Sequence, residues 1–324
     1  MKLSTRFVLD IVAAATAAIL ALPVAAQSIE GPIEFVIPFG AGGGADIEGR
    51  LLAEEMSKVL GVPVVPINKP GAGGAVTYTY VKNAKPDGRV IAWNSTSILT
   101  VTNIGNVDYE HSALDHIGQV EYQPMPFAVR ADSAWKTMKD FAADCKAHPG
   151  KYKIANSTAG SATHLGAIAV ANALGCDVIH LPAGVQRRNA TVLSGEADAM
   201  IAPLTGAIKL AQAGKIRLLA IPSPKRNPVI PDVPTMKELG YDVDILLFRG
   251  LSVPKGTPKA TKDMLADAMT KAAHSKSFMD FAAKNGFTVE TLSVDDFEKV
   301  LAAEDQKVKG IMKAAGLYQS EKKK

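Results

Sequence analysis

Two glycine-rich turns near the start of the chain carry its strongest chemical signal. The first reads Pro38-Phe39-Gly40-Ala41-Gly42-Gly43-Gly44-Ala45-Asp46, and the second reads Asn68-Lys69-Pro70-Gly71-Ala72-Gly73-Gly74-Ala75. Each follows an apolar run with β-branched residues, Ile33 to Ile37 and Val62 to Ile67. Each leads into helical spacing, as in Ile47, Leu51, Leu52, Met56, Val59 and Leu60. Glycine removes the Cβ that keeps a ligand off the backbone, so amide N–H groups can point at it. A helix N-terminus just behind adds free donors and a partial positive charge. Two such turns at the carboxyl ends of neighbouring strands predict an anion cradle made largely of main chain. Asp46 sits at the same helix start, where its expected role is to cap the helix or brace the loop with amides that face away from the ligand.

Other chemistry is thin. The six histidines are scattered with no HExxH pair, and no CxxC occurs, so no metal site is expected. Neither a GxSxG elbow nor a phosphate loop is present, and no catalytic residue stands out. His164 beside Thr163 reads as a helix-terminal histidine that holds loop backbone. Gly40 to Ala45 fits a loose GxGxxA, but the acid that a dinucleotide fold needs after its second strand is replaced by Ile67-Asn68-Lys69. No cofactor is expected.

The elements that must position these turns come from a chain of 324 residues, which suits two lobes of roughly 100–150 residues each. Hydrophobic residues make up 47% and charged residues 21%, enough for a sizeable core. The net charge of +4 is mild and partly lies in Lys322-Lys323-Lys324, with no clustering of basic and aromatic residues for nucleic acid. Residues 1–26 read as a signal peptide. Lys2 and Arg6 precede the apolar Ile11 to Leu22, and Val24-Ala25-Ala26 offers cleavage before Gln27. The mature protein is therefore expected in the periplasm. Export leaves two readings of Cys145 and Cys176: a disulfide, or two buried thiols.

Strand and helix signals alternate through most of the chain. Arg89 to Trp93, Lys153 to Ala155, Val178 to Leu181, Ala199 to Ala202 and Ile216 to Ile221 read as strands, with polar turns at Asn94-Ser95-Thr96-Ser97 and Asn156-Ser157-Thr158-Ala159-Gly160-Ser161. Helices are expected over Met138 to Ala147 and His164 to Leu174, and from Lys259 onward apart from a short strand at Gly286 to Val289. Such βα units imply an α/β fold with mostly parallel sheets, helices on both faces, and ligands at the carboxyl edges.

The run from Ile37 to Ile47 with Arg50, then Asn68 to Gly74, resembles the extracytoplasmic solute receptors of tripartite tricarboxylate transporters, the Bug family. Lys85-Pro86-Asp87-Gly88, Gly160-Ser161-Ala162-Thr163-His164-Leu165, Pro231-Asp232-Val233-Pro234-Thr235 and Val253-Pro254-Lys255-Gly256-Thr257-Pro258 extend the likeness over nearly all of the mature chain. The resemblance implies a type II-like Venus flytrap, with lobe 1 from 27–125 plus 248–324 and lobe 2 from 126–247. It implies a monomeric receptor for a small mono-, di- or tricarboxylate or aromatic acid, with large and small membrane subunits as partners. The binding residues it implies are Phe39, Gly42, Gly43, Gly44 and Ala45 in the first turn, then Gly71, Gly73, Gly74, Ala75 and Ser95. Ser157, Thr158, Ser161, Thr163 and Ala183 follow from the second lobe, and Arg249 from the crossover between lobes. Relatives usually carry an aromatic residue, a basic residue and two glycines where this chain has Pro182-Ala183-Gly184-Val185-Gln186-Arg187-Arg188-Asn189. Arg187, Arg188 and Arg249 are candidates for a second carboxylate, since a guanidinium fork matches that geometry. A sensory receptor for a carboxylate would share the same pocket, and an exported hydrolase would need a nucleophile that the sequence does not mark.

Overall fold

The computed structural model describes residues 29–319; the expected signal peptide and the terminal lysines lie outside the described residues. The strands are β1 (Ile33–Ile37), β2 (Val64–Asn68), β3 (Val90–Ser95), β4 (Leu114–Pro124), β5 (Phe127–Arg130), β6 (Lys153–Asn156), β7 (Ile179–Pro182), β8 (Ala199–Ile201), β9 (Ile216–Ala220), β10 (Leu246–Pro254) and β11 (Thr288–Leu292). The helices are α1 (Gly44–Leu60), α2 (Ala75–Lys82), α3 (Ser97–Asn103), α4 (Met138–Ala147), α5 (Ala162–Leu174), α6 (Gly184–Ser194), α7 (Leu204–Gln212), α8 (Lys259–Ala273), α9 (Lys276–Asn285) and α10 (Val294–Ala314).

Two sheets organise them. One has the strand order β11-β4-β10-β3-β1-β2 and the other β7-β6-β8-β5-β9. Their pairings are mixed, which corrects the expectation of mostly parallel sheets. β1 pairs in parallel with β2 and β3, and β6 with β7 and β8. The pairings of β10 with β3 and β4, of β11 with β4, and of β5 with β8 and β9 are antiparallel. The physical reason lies in the crossovers. A chain that leaves one sheet and later returns must bring its return strand back in the opposite direction, and β10 does so beside β4.

β4 and β10 are the long strands that sequence patterning did not mark. β4 hands the chain to β5 through Pro124-Met125-Pro126, whose two prolines fix φ and stiffen the crossing. Local chemistry sets most other boundaries. α1 ends on Gly61 at φ 70°, whose N–H bonds the carbonyl of Ser57. α4 opens on a Thr137–Asp140 capping box, and the Ser161 side chain caps α5.

The core fills both faces of the first sheet. Ile33, Phe35, Leu52, Met56, Trp93, Leu265 and Phe278 form one cluster. Another joins Tyr78 and Leu99 to Phe127, Phe141, Leu165 and Phe297, so it runs from the first sheet into the second. Each such side chain contributes about 1.5–3 kcal/mol by leaving water. Cys145 and Cys176 are buried with Cα atoms 5.7 Å apart, within the span of a disulfide.

Candidate ligand-binding cleft

The first glycine turn leads directly into α1, and Gly43 takes an extended backbone with no side-chain cap. The N–H groups of Gly43, Gly44 and Ala45 meet no acceptor among the described residues. Gly42 N–H donates instead to Asp46 Oδ2 at 2.9 Å, and Asp46 Oδ1 accepts from Arg50 Nε at 2.8 Å and from Asn68 Nδ2 at 2.9 Å. Burial opposes ionisation of Asp46, yet the bonds from Arg50, Gly42 and Asn68 hold its carboxyl below the usual range. Asp46 thus braces the loop, with its carboxylate engaged by Gly42, Arg50 and Asn68.

A cleft opens where this turn meets the second sheet. Phe39, Gly44, Ala45, Arg249 and Leu247 line one wall, and Ser157, Ser161, Ala162, Thr163, Val185, Arg188 and Pro203 line the other. The cavity measures about 20 Å³, room for about one water. The walls meet at its rim. A Cβ on Gly43 would stand 2.1 Å from Val185 Cγ1, and one on Gly73 would stand 2.8 Å from the Gly160 carbonyl. The Thr100 hydroxyl donates to Gly160 O, and Gln123 Oε1 accepts from Thr205 N–H at 3.2 Å.

Every formal charge on the lining is positive, since it holds two arginines and no acidic residue. The N-termini of α1, α5 and α7 add partial positive charge through Gly44, Ala162 and the segment at Pro203. The two arginines have different surroundings. Arg249 lies over the Trp93 ring, pairs with Glu48, and stands 3.3 Å from Glu121. Burial, then repulsion from Glu48, pushes the Glu121 carboxyl well above its usual range, with Arg249 opposing. Gln123 Nε2 donates to Glu48 at 2.9 Å. Arg188 is 2% exposed, donates from Nη1 to Ser157 Oγ at 2.8 Å, and leaves Nε without an acceptor. Burial pushes its guanidinium down to about 10.

Of the expected binding residues, the cleft gathers Phe39, Gly44, Ala45, Ser157, Ser161, Thr163 and Arg249. Gly42 and Gly43 border it. The rest stand elsewhere for identifiable reasons. In the second turn, Gly74 N–H bonds Gly71 O and Ala75 N–H bonds Ala72 O, so those amides are spent inside the turn. Gly73 packs on the backbone of Ala159 and Gly160. Ser95 is buried against Ser97, at 2.8 Å between hydroxyls. Thr158 is absent from the lining, and Ala183 N–H bonds Asn156 O. Arg187 is exposed and pairs with Glu196 at 3.2 Å. Ala162, Val185, Pro203 and Leu247 join the lining although none was expected to bind; Ala162 and Val185 lie inside stretches that the family resemblance singles out. His164 Nδ1 accepts from Gly160 N–H at 3.2 Å, and burial, then His180, lowers the ring to about 4, so it braces the loop as a neutral imidazole. Among the described residues, no group of three or more His, Cys, Asp and Glu is placed to hold a metal ion, and no helix is long and apolar enough to cross a membrane.

Two sheets flanked by helices, joined by paired crossover strands and enclosing a cleft, define a solute-binding protein of the periplasmic type. The sequence profile of the tripartite tricarboxylate transporter family receptor matches residues 49–317, and the chain belongs to that family. A protein from the gbd 5′ region of Cupriavidus necator is 31% identical over 96% of this chain and 97% of its own length. The periplasmic binding protein BugD has the same fold at a TM-score of 0.85, with 31% identity over 90% of this chain and 99% of BugD. MatC from Rhodopseudomonas palustris, solved with bound malate, is similar in fold at a TM-score of 0.83, with 23% identity over 90% of this chain and 99% of MatC.

Proposed function

We propose that this receptor captures a small organic acid between its lobes and delivers it to the membrane subunits of a tripartite transporter. The observation that carries this reading is the sign of the cleft: free amides of α1, further helix N-termini and two arginines line it, with no acid among them. Backbone amides bound to a carboxylate contribute about 1.5–3 kcal/mol per charged hydrogen bond. Lobe 1 spans 27–125 and 248–324, lobe 2 spans 126–247, and hinge motion at the β4 and β10 crossings closes one on the other. Cleavage before Gln27 releases the chain to the periplasm as a monomer, where Cys145 and Cys176 join in a disulfide. A mass two units lower without reductant than with it would establish that bond.

The test is a thermal-shift screen of residues 27–324 against mono-, di- and tricarboxylates, aromatic acids, neutral amides and NAD. A ligand at 100 times its Kd adds about 2.7 kcal/mol of stability. A shift with a carboxylate family, and no consumption of it, supports the receptor reading. A shift with NAD alone, or turnover of the acid, overturns it.

A further inference from the structure

The two cleft arginines do not share one electrostatic state, and the difference bears on the charge of the ligand. Arg249 has two buried glutamates, Glu48 and Glu121, as counter-groups. Glu48 pairs with Arg249 directly, so the charge of Arg249 is offset inside the fold. Arg187, next to Arg188 in sequence, turns outward and pairs with Glu196. Arg188 turns inward. It is 2% exposed, it lines the cleft, and no carboxylate lies within ion-pairing distance among the described residues. Among the described residues it donates one hydrogen bond, to the neutral Ser157 hydroxyl, and its buried Nε meets no acceptor.

Burying a guanidinium without an anion is costly, and the fold around it adds nothing to offset the charge. Its neighbours in the lining, Ala162, Thr163 and Pro203, belong to the N-terminal ends of α5 and α7. Those ends and that of α1 each contribute roughly half a unit of positive charge. Together with the full charge of Arg188, the field suits two negative charges better than one. Arg188 also sits across from the free amides of the other lobe. The point that a Cβ on Gly206 would occupy is 3.4 Å from Arg188 Nη2 and 3.9 Å from Gly44 N.

We propose that Arg188 and Ser157 form a second anion subsite facing the α1 amides, so that the receptor selects a short dicarboxylate over a monocarboxylate of the same length. This rests on the organic-acid reading of the same cleft. One carboxylate takes the N–H groups of Gly43, Gly44 and Ala45, and the other takes the Arg188 fork. Closure then brings each anionic end to donors on a different lobe.

The test is calorimetric titration of residues 27–324 at pH 7.5 with straight-chain dicarboxylates from malonate to adipate and with monocarboxylates of matching length. The wild-type protein is expected to bind its preferred diacid at least tenfold tighter than the matching monoacid. Arg188→Gln should weaken the diacid at least tenfold more than the matching monoacid, bringing that ratio close to one, and Arg188→Lys should keep part of the preference. A wild-type ratio near one overturns the subsite whether or not the variants fold. A ratio that survives in Arg188→Gln, or an equal loss for both acids, also overturns it. If no acid binds and a neutral or nucleotide ligand does, the organic-acid reading falls as well, so the two failures are distinguishable.

Discussion

The two arginines on opposite walls of the cleft show how one residue type serves two purposes. Arg249 belongs to strand β10, pairs with Glu48 on α1 and stands 3.3 Å from Glu121 on β4, so its charge is offset inside the fold. It ties three segments of the first lobe together, and Gln123 extends that network to Thr205 on the other side. Among the described residues Arg188 has no carboxylate within ion-pairing distance, and its hydrogen bond goes to Ser157. The first is a structural charge with its partners built in, and the second is a charge held for something outside the chain. What separates them is the surrounding set of acids, not burial, since both are almost fully enclosed.

The largest expected effect breaks this contrast directly. Arg249→Met leaves Glu48 and Glu121 buried without their cation, and the loss should be about 3–5 kcal/mol in urea unfolding of the ligand-free protein. Arg188→Met removes a buried charge that has no partner, so ligand-free stability should stay within about 1 kcal/mol of wild type or exceed it. Equal losses in the two variants would show that Arg188 is structural, and the comparison would collapse.

A second prediction separates the glycine turns in the same way. Gly43 has an ordinary φ of −85°, so Gly43→Val should fold normally. Its new Cβ would meet Val185 as the lobes close, and affinity should fall about 100-fold, equivalent to 2.7 kcal/mol. Gly73 has φ 72°, so Gly73→Val carries backbone strain of about 1–3 kcal/mol besides its collision with Gly160. Melting and titration of both variants check this. Retained affinity in Gly43→Val would remove the first turn from the binding cleft.

Much of the frame was legible in the sequence, because the signals are local. Met138–Ala147 is bounded by its own capping box, and the βα rhythm follows from apolar runs ending in glycine or polar turns. In β4, Gln119, Glu121 and Gln123 alternate with Val120 and Tyr122, but an alternating polar face is ordinarily a solvent face, and only the fold shows that this one is buried. The state of the arginines was not legible either. Arg187 and Arg188 are adjacent on α6, and one residue turns a helix by about 100°, so one points out and the other in. No sequence pattern says which. Glu48 stands among the acids and bases of α1, where a glutamate is ordinarily a surface residue. Only the fold brings it to Arg249 across 201 positions.

The smallest expected effect sharpens what balances Arg249. The Glu121 carboxyl is held well above its ordinary 4.5, so the folded state keeps a proton that the unfolded chain gives up. The stability linked to that proton is complete below about pH 4.5 and is lost as pH rises through the folded value. Glu121→Gln keeps a neutral side chain at every pH. The wild-type protein should therefore lose stability relative to this variant from about pH 5 upward, until the folded carboxyl itself ionises. His116 and His164, lowered by burial to about 3 and about 4, work in the opposite sense, but they are common to both proteins and cancel in the difference. Parallel stability curves would mean that Glu121 is ionised in the folded protein and that Arg249 carries two counter-anions. In that case the cluster behind the cleft would be net negative, and affinity for an anionic ligand should be weaker in the wild type than in Glu121→Gln. A neutral Glu121 instead predicts equal affinities at pH values below the folded value of its carboxyl, with the wild type weakening as the pH approaches it.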